Sequence, residues 1–147
     1  MILRRFEPGD KAAFLAMCRD FYSGGAVLKP IPEKNMETSF QEIISGSPDI
    51  SGFMMVDGDE IVGYGIVYPF FSNEGGGRML MLEEIYVKPD CRGRKFGSEY
   101  LNRIASAFSD DIAGLRLEIS PGNESARRLY ESMGFKKLGY ESMIKAI

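Results

Sequence analysis

Two separated segments hold the side chains best suited to chemistry. The first runs Leu82-Glu83-Glu84-Ile85-Tyr86-Val87-Lys88-Pro89-Asp90-Cys91-Arg92-Gly93-Arg94-Lys95-Phe96-Gly97-Ser98 and reads as a strand, a basic glycine-containing turn and a helix start. Free amides at a helix N-terminus, together with the helix dipole, bind phosphate. Arg92, Arg94 and Lys95 add positive charge, and Gly93 and Gly97 let the backbone approach a ligand closely. The turn is not a Walker loop, because Gly-x-x-x-x-Gly-Lys-Ser/Thr is absent. A basic, solvated strand–helix turn is the plain alternative.

Glu83 and Glu84 end the apolar run of the strand. Adjacent strand residues point to opposite faces, so only one of them can face a given cleft. A carboxylate on an apolar strand is costly to bury without a partner, which makes one of the pair a candidate base. The second segment, Asn123-Glu124-Ser125-Ala126-Arg127-Arg128-Leu129-Tyr130-Glu131-Ser132-Met133-Gly134-Phe135, reads as a capped helix. Tyr130 falls with Ala126, Leu129 and Met133 at helical spacing, a pattern that ordinarily places a tyrosine in the core. Asn123 is by default a plain N-cap.

The composition narrows what these groups can do. The 147 residues contain no histidine. That excludes Ser-His-Asp and Cys-His catalysis and His-ligated metal sites. Proton transfer falls to carboxylates, Tyr, Lys, Cys, backbone or water. A net charge of −3 argues against a general nucleic-acid binder. Two cysteines are too few for a disulfide framework. Cys18 sits in an apolar helical pattern and reads as a small core residue. Cys91, beside the basic turn, is a candidate for a lowered thiol pKa. The N-terminus lacks the long apolar stretch of a signal peptide, and no apolar run approaches the ~20 residues of a membrane span. A single domain over residues 1–147 in a reduced, cytoplasmic setting is the expectation, with neither nucleic acid nor membrane as partner.

The surrounding elements follow from periodicity and punctuation. Ile2 to Phe6 reads as a strand and Lys11 to Tyr22 as a helix with Asp10 at its N-cap. The loop from Ser23 to Pro32 holds two glycines and two prolines and is not helical. A helix over Glu33 to Ile44 follows. Strands over Gly52–Val56 and Glu60–Phe71 flank the hairpin signal Asp57-Gly58-Asp59. Met79 to Val87 is apolar on both faces, as a central strand must be. A helix over Phe96 to Phe108 and a strand over Leu115 to Ile119 form a parallel crossover with it. Gly134 ends the last helix, and Phe135–Lys137 and Tyr140–Ile147 close the chain as strands.

Taken together, the two segments resemble the GNAT superfamily of acetyl-CoA-dependent N-acetyltransferases. That family's turn, Arg/Gln-x-x-Gly-x-Gly/Ala after a Val-x-Pro, is met by Val87-Lys88-Pro89 and Arg92-Gly93-Arg94-Lys95-Phe96-Gly97. Its last helix, Asn-x-x-Ala-x-x-Leu-Tyr-x-x-x-Gly-Phe, is met at Asn123, Ala126, Leu129, Tyr130, Gly134 and Phe135. Lys95 stands where the family has its first glycine. The stretch Leu82–Val87 with Arg92-Gly93 and Gly97-Ser98-Glu99 is similar to the diamine acetyltransferase branch.

The resemblance implies an α+β (mixed α/β) fold. Its central, mostly antiparallel twisted sheet has about seven strands, helices on both faces and a splayed pair of parallel strands. It implies acetyl-CoA as cosubstrate, no metal, and an amine acceptor on a small molecule or peptide. A primary alkyl amine has a pKa of about 10.4, so a base near the thioester has work to do at neutral pH. Glu83 or Glu84 would be that base, with Glu83 the one favoured by the diamine-branch similarity. Amides of Ile85 and Val87 would hold the acetyl and pantetheine groups, and the turn from Arg92 through Gly93, Arg94, Lys95, Phe96 and Gly97 to Ser98 the pyrophosphate. Asn123 would bond the pantetheine arm and Tyr130 protonate the departing thiolate. Tyr22, Leu28 and Glu33, around the first loop, would meet the acceptor, and the apolar residues there also fit a homodimer contact. A non-catalytic acyl-CoA-binding or regulatory domain of the same fold is the alternative function, and a phosphate-binding structural module a third.

Overall fold

The computed structural model describes residues 1–147. Five strands form one sheet: β1 (Ile2–Arg5), β2 (Ser51–Asp57), β3 (Glu60–Ser72), β4 (Gly77–Val87) and β5 (Gly114–Leu117). They lie in sequence order across the sheet. All neighbours are antiparallel except β4 and β5, which are parallel. The β2–β3 turn is tight because Gly58 takes a left-handed φ of 63°.

Four helices cover the two faces. On one face α1 (Lys11–Ser23) and α2 (Glu33–Ile44) bury Phe14, Met17, Cys18, Met36 and Phe40 against Met54, Tyr64, Ile66 and Tyr86 of the sheet. The rings of Phe6, Phe14, Phe40 and Tyr64 interlock there, with centroids 5.1 to 6.5 Å apart. Burial of each such side chain contributes about 1.5–3 kcal/mol. On the other face α3 (Phe96–Ala107) and α4 (Glu124–Ser132) pack Phe96, Tyr100, Leu101, Ile104, Leu129 and Tyr130 over Phe53, Val62, Val67, Leu80 and Leu82. Both faces of β4 are therefore covered, which explains its unbroken apolar run.

Two expectations need correction. The sheet has five strands rather than about seven, because Phe135–Lys137 and Tyr140–Ile147 join no ladder. Gly134, at φ 90°, closes α4. Phe135 then folds back, its N–H donating to the Tyr130 carbonyl at 3.0 Å and its ring packing on Tyr130 at 5.7 Å. An extended segment is a strand only with a ladder, and β5 offers an edge only four residues long. Asp10 precedes α1 but does not cap it with its side chain. Its carboxylate instead accepts two hydrogen bonds from Arg4, at 2.7 and 2.8 Å, and one from the Glu7 amide.

Candidate active site

The site is set by where β4 and β5 part company. They pair only from Met79–Gly114 to Leu82–Leu117. Beyond Leu82 the outer edge of β4 has no strand partner, and a cleft opens against α4. At that point β4 carries a bulge: Ile66 pairs with Glu84 and Val67 with Leu82, so Glu83 opposes no residue of β3. A bulge re-aims the extra side chain. Glu83 turns into the cleft, where it shares a cavity of about 80 Å³ with Tyr130, Asn123, Glu118, Ile85 and Phe21.

Glu84 points the other way. It is buried among the α1 side chains. Tyr22 donates a hydrogen bond to its Oε1 at 2.6 Å and Tyr64 to its Oε2 at 2.7 Å, with the Cys18 thiol 4.0 Å away. Burial raises the Glu84 pKa while the two tyrosine hydrogen bonds oppose the rise. Cys18 is pushed up to about 12 by burial and by the Glu84 charge. It is a core thiol, as its sequence pattern indicates.

Glu83 is also raised, by desolvation first and then by the charges of Glu84 and Glu118. No Lys or Arg forms an ion pair with Glu83, Glu84 or Glu118. Burial raises the Tyr130 pKa, so its proton is retained at neutral pH. The Tyr130 hydroxyl makes no protein hydrogen bond. Asn123 uses its Oδ1 as the α4 cap, accepting from the Ala126 amide at 3.3 Å, and its side-chain NH2 remains available.

The basic turn sits at the start of α3, past the end of β4. The amides of Gly93, Arg94, Lys95, Phe96, Gly97 and Ser98 donate to no protein acceptor. A run of free amides at a helix N-terminus is an arrangement suited to an anion. Gly93 and Lys95 both adopt left-handed backbone, at φ 79° and 65°. Lys95 is the only non-glycine residue in the chain with positive φ, so its backbone takes the form a glycine adopts freely. Arg94 bridges to Asp57 at 2.6 Å and lies over the Phe96 ring. Arg92 donates to the Val87 carbonyl at 3.0 Å, which ties the turn to β4. Gly97 is small because a Cβ there would lie 3.1 Å from Leu129 of α4. Cys91 is buried, and desolvation with the Asp90 charge raises rather than lowers its thiol pKa.

None of the three acceptor candidates lines the cavity that holds Glu83 and Tyr130. The Tyr22 hydroxyl is held by Glu84. Glu33 pairs with Arg19 at 2.6 Å, which lowers its pKa. Leu28 is exposed. Ala26 and Phe21 come closer to the cleft. Glu118, at the end of β5, was not among the sequence candidates. Its signal is the alternation Leu115-Arg116-Leu117-Glu118-Ile119, in which it is the polar residue beyond the paired segment. Ser142 fixes it with a 2.8 Å hydrogen bond. A larger cavity, about 300 Å³, lies at the other end of β4 beside Arg78 and Leu80, away from these groups.

A family model described as "Acetyltransferase (GNAT) family" matches residues 14–135. The chain belongs to the GNAT acetyltransferase family. A thialysine N-epsilon-acetyltransferase of Bos taurus is 38% identical over 79 residues, 53% of this chain and 46% of that protein. Its counterpart from Sus scrofa is 37% identical over 82 residues, 55% and 48%. The match thus spans about half the length of these curated relatives. Among solved structures, a possible acetyltransferase from Clostridium difficile 630 superposes with a TM-score of 0.83 at 17% identity, covering 99% of this chain and 97% of that one. AAC(6')-Iy in complex with the bisubstrate analog CoA-S-monomethyl-acetylneamine gives 0.81 at 14% identity, covering 99% and 97%. At these identities the likeness is one of fold. No helix is long and apolar enough to cross a membrane.

Proposed function

We propose that this GNAT chain, acting as a single domain, transfers the acetyl group of acetyl-CoA to a primary amine of a small molecule or peptide by direct attack. The observation that carries the proposal is the β4 bulge, which sets Glu83 and Tyr130 around one cavity at the splay. Glu83, its pKa raised by desolvation and paired with no cation, takes a proton from the ammonium of the acceptor. The freed nitrogen attacks the thioester carbonyl, and the carbon–sulfur bond breaks. Tyr130 gives its proton to the departing sulfur. The nitrogen loses its second proton to water, Tyr130 regains one from water and Glu83 gives up its own to solvent, so both groups are reset and one proton is released per turnover.

The run of amides from Gly93 to Ser98 takes the pyrophosphate, with Arg92, Arg94 and Lys95 adding charge. The unpaired edge of β4 at Ile85 and Val87 takes the pantetheine arm, and the free NH2 of Asn123 adds a donor to it. The cavity holds the reacting end of the acceptor only, since one water occupies about 30 Å³. Glu118 favours a cationic acceptor. The curated relatives are named for acetylating thialysine, an amine substrate, which supports this reading. Exposed Leu138, Met143 and Ile144 support a contact between two copies.

The test is acetyl-CoA thiol release over thialysine, polyamines, aminoglycosides, amino acids and peptide N-termini. Release with at least one primary amine is expected. Tight CoA binding by calorimetry with no release across the panel would replace catalysis with a binding role.

A further inference from the structure

Tyr100 is wholly buried, and its hydroxyl is the only buried side-chain polar atom in the chain without a hydrogen-bond partner. Phenylalanine would fill the same core without desolvating a polar group, so the hydroxyl is held at a cost to the fold. Its surroundings are built to admit it. A Cβ on Gly65 would lie 2.2 Å from the Tyr100 hydroxyl oxygen. Gly65 pairs with Ile85, the cleft residue two positions beyond Glu83. Tyr100 lies one turn along α3 from Gly97, the residue that abuts Leu129. Leu129 and Tyr130 pack into the same cluster as Tyr100. Tyr130 is the one ionisable group whose charge bears on Tyr100.

We propose that Tyr100 is a positioning residue for Tyr130, its hydroxyl donating a hydrogen bond to the Tyr130 oxygen as that oxygen gives up its proton. This rests on the acid role assigned to Tyr130. The Tyr130 O–H bond breaks and the proton goes to the CoA sulfur. The Tyr100 O–H bond stays intact and stabilises the phenolate left behind. The two hydroxyls are not hydrogen-bonded to each other, and catalytic hydrogen bonds commonly tighten only when substrate is bound. An unsatisfied buried hydroxyl is thus a donor held ready for a charge that exists only during turnover.

The test uses Tyr100→Phe, Tyr130→Phe and the double variant of the full chain. Steady-state rates are taken with acetyl-CoA and the amine of highest thiol release in the panel above. Tyr100→Phe is expected to keep or raise the melting temperature and to leave acetyl-CoA affinity unchanged. Its kcat should fall about tenfold, the scale of one hydrogen bond to a charged group. The alkaline limb of kcat should move to higher pH, because the phenolate has lost a donor. A titration of Tyr130 by ring-labelled tyrosine NMR should show the same upward move without any amine present. The double variant should be no slower than Tyr130→Phe. Slow Tyr130→Phe beside a Tyr100→Phe with unchanged kcat and unchanged Tyr130 titration overturns the inference alone. Tyr130→Phe turning over at the wild-type rate overturns the acid role, and this inference with it.

Discussion

Glu83 and Glu84 are neighbours in sequence, yet they lie in opposite kinds of surroundings. On the α1 face both Glu84 oxygens are occupied by tyrosine hydroxyls within a close aromatic cluster. On the α3–α4 face polar groups are left open: in the cleft Glu83 has no cation and Tyr130 no hydrogen-bond partner, in the core behind it the Tyr100 hydroxyl has none, and a run of amides at the start of α3 is unbonded. The first arrangement resembles a solved packing problem. The second leaves polar groups unpaired, the arrangement a ligand site calls for. One bulged residue separates the two, so a single ladder irregularity decides which carboxylate is structural and which is available.

The sharpest way to break this contrast is to neutralise each carboxylate in turn. Glu83→Gln should lower kcat/KM by about 10²–10⁴, the usual worth of a positioned base, with little change in melting temperature. Glu84→Gln should do the reverse. Its two tyrosine donors would face one carbonyl and one amide, costing about 1–3 kcal/mol in urea unfolding, while turnover stays within a few-fold of wild type. Equal losses of activity in both variants would erase the distinction.

The pH dependence of stability offers a finer test. Burial raises both Glu83 and Glu84 above their unfolded values. A raised carboxylate binds its proton more tightly when folded, so its contribution is fully present below the unfolded pKa and is lost as pH rises through the folded one. Asp10 has the opposite sign: Arg4 lowers it, and its contribution is lost on acidification. Glu84→Gln should therefore flatten the loss of stability seen as pH rises from the ordinary carboxylate range towards neutrality. Denaturant midpoints across that range measure it.

The smallest effect is expected at Lys95→Gly. Left-handed backbone costs a non-glycine residue about 1–2 kcal/mol, offset by the roughly 0.5–1 kcal/mol of extra chain entropy that glycine loses. A net gain below about 1 kcal/mol should appear in thermal melts. Acetyl-CoA affinity should change less than about tenfold, because on the proposed reading the Lys95 amide stays in place and only one of three nearby cations is lost.

Much of this arrangement was legible in the sequence. The central strand, the basic turn and the capped tyrosine helix come from local periodicity and punctuation, and the structure forms all three. The choice between Glu83 and Glu84 was not legible from alternation, because it depends on a bulge set by the register of β4 against β3. The partners of Tyr22 and Glu33 were hidden for a similar reason. Glu84 and Arg19 reach them only after α1 docks. Tyr100 reads as one more apolar-stripe residue until Gly65 is seen opposite it. The strands expected after α4 rested on local sequence alone, which says nothing of whether an edge is there to receive them.

The short ladder between β4 and β5 has one more consequence. A sheet that stops pairing at Leu82 and Leu117 is, in effect, missing part of a strand, and an extended pantetheine arm can serve as that strand. The acetyl donor would then count as part of the architecture as well as a reactant. At a hundred times its dissociation constant it would add about 2.7 kcal/mol to the folded state. Amides beyond the splay would exchange with solvent in the free chain and become protected in the loaded one, so the cleft would be firmest when it is about to react.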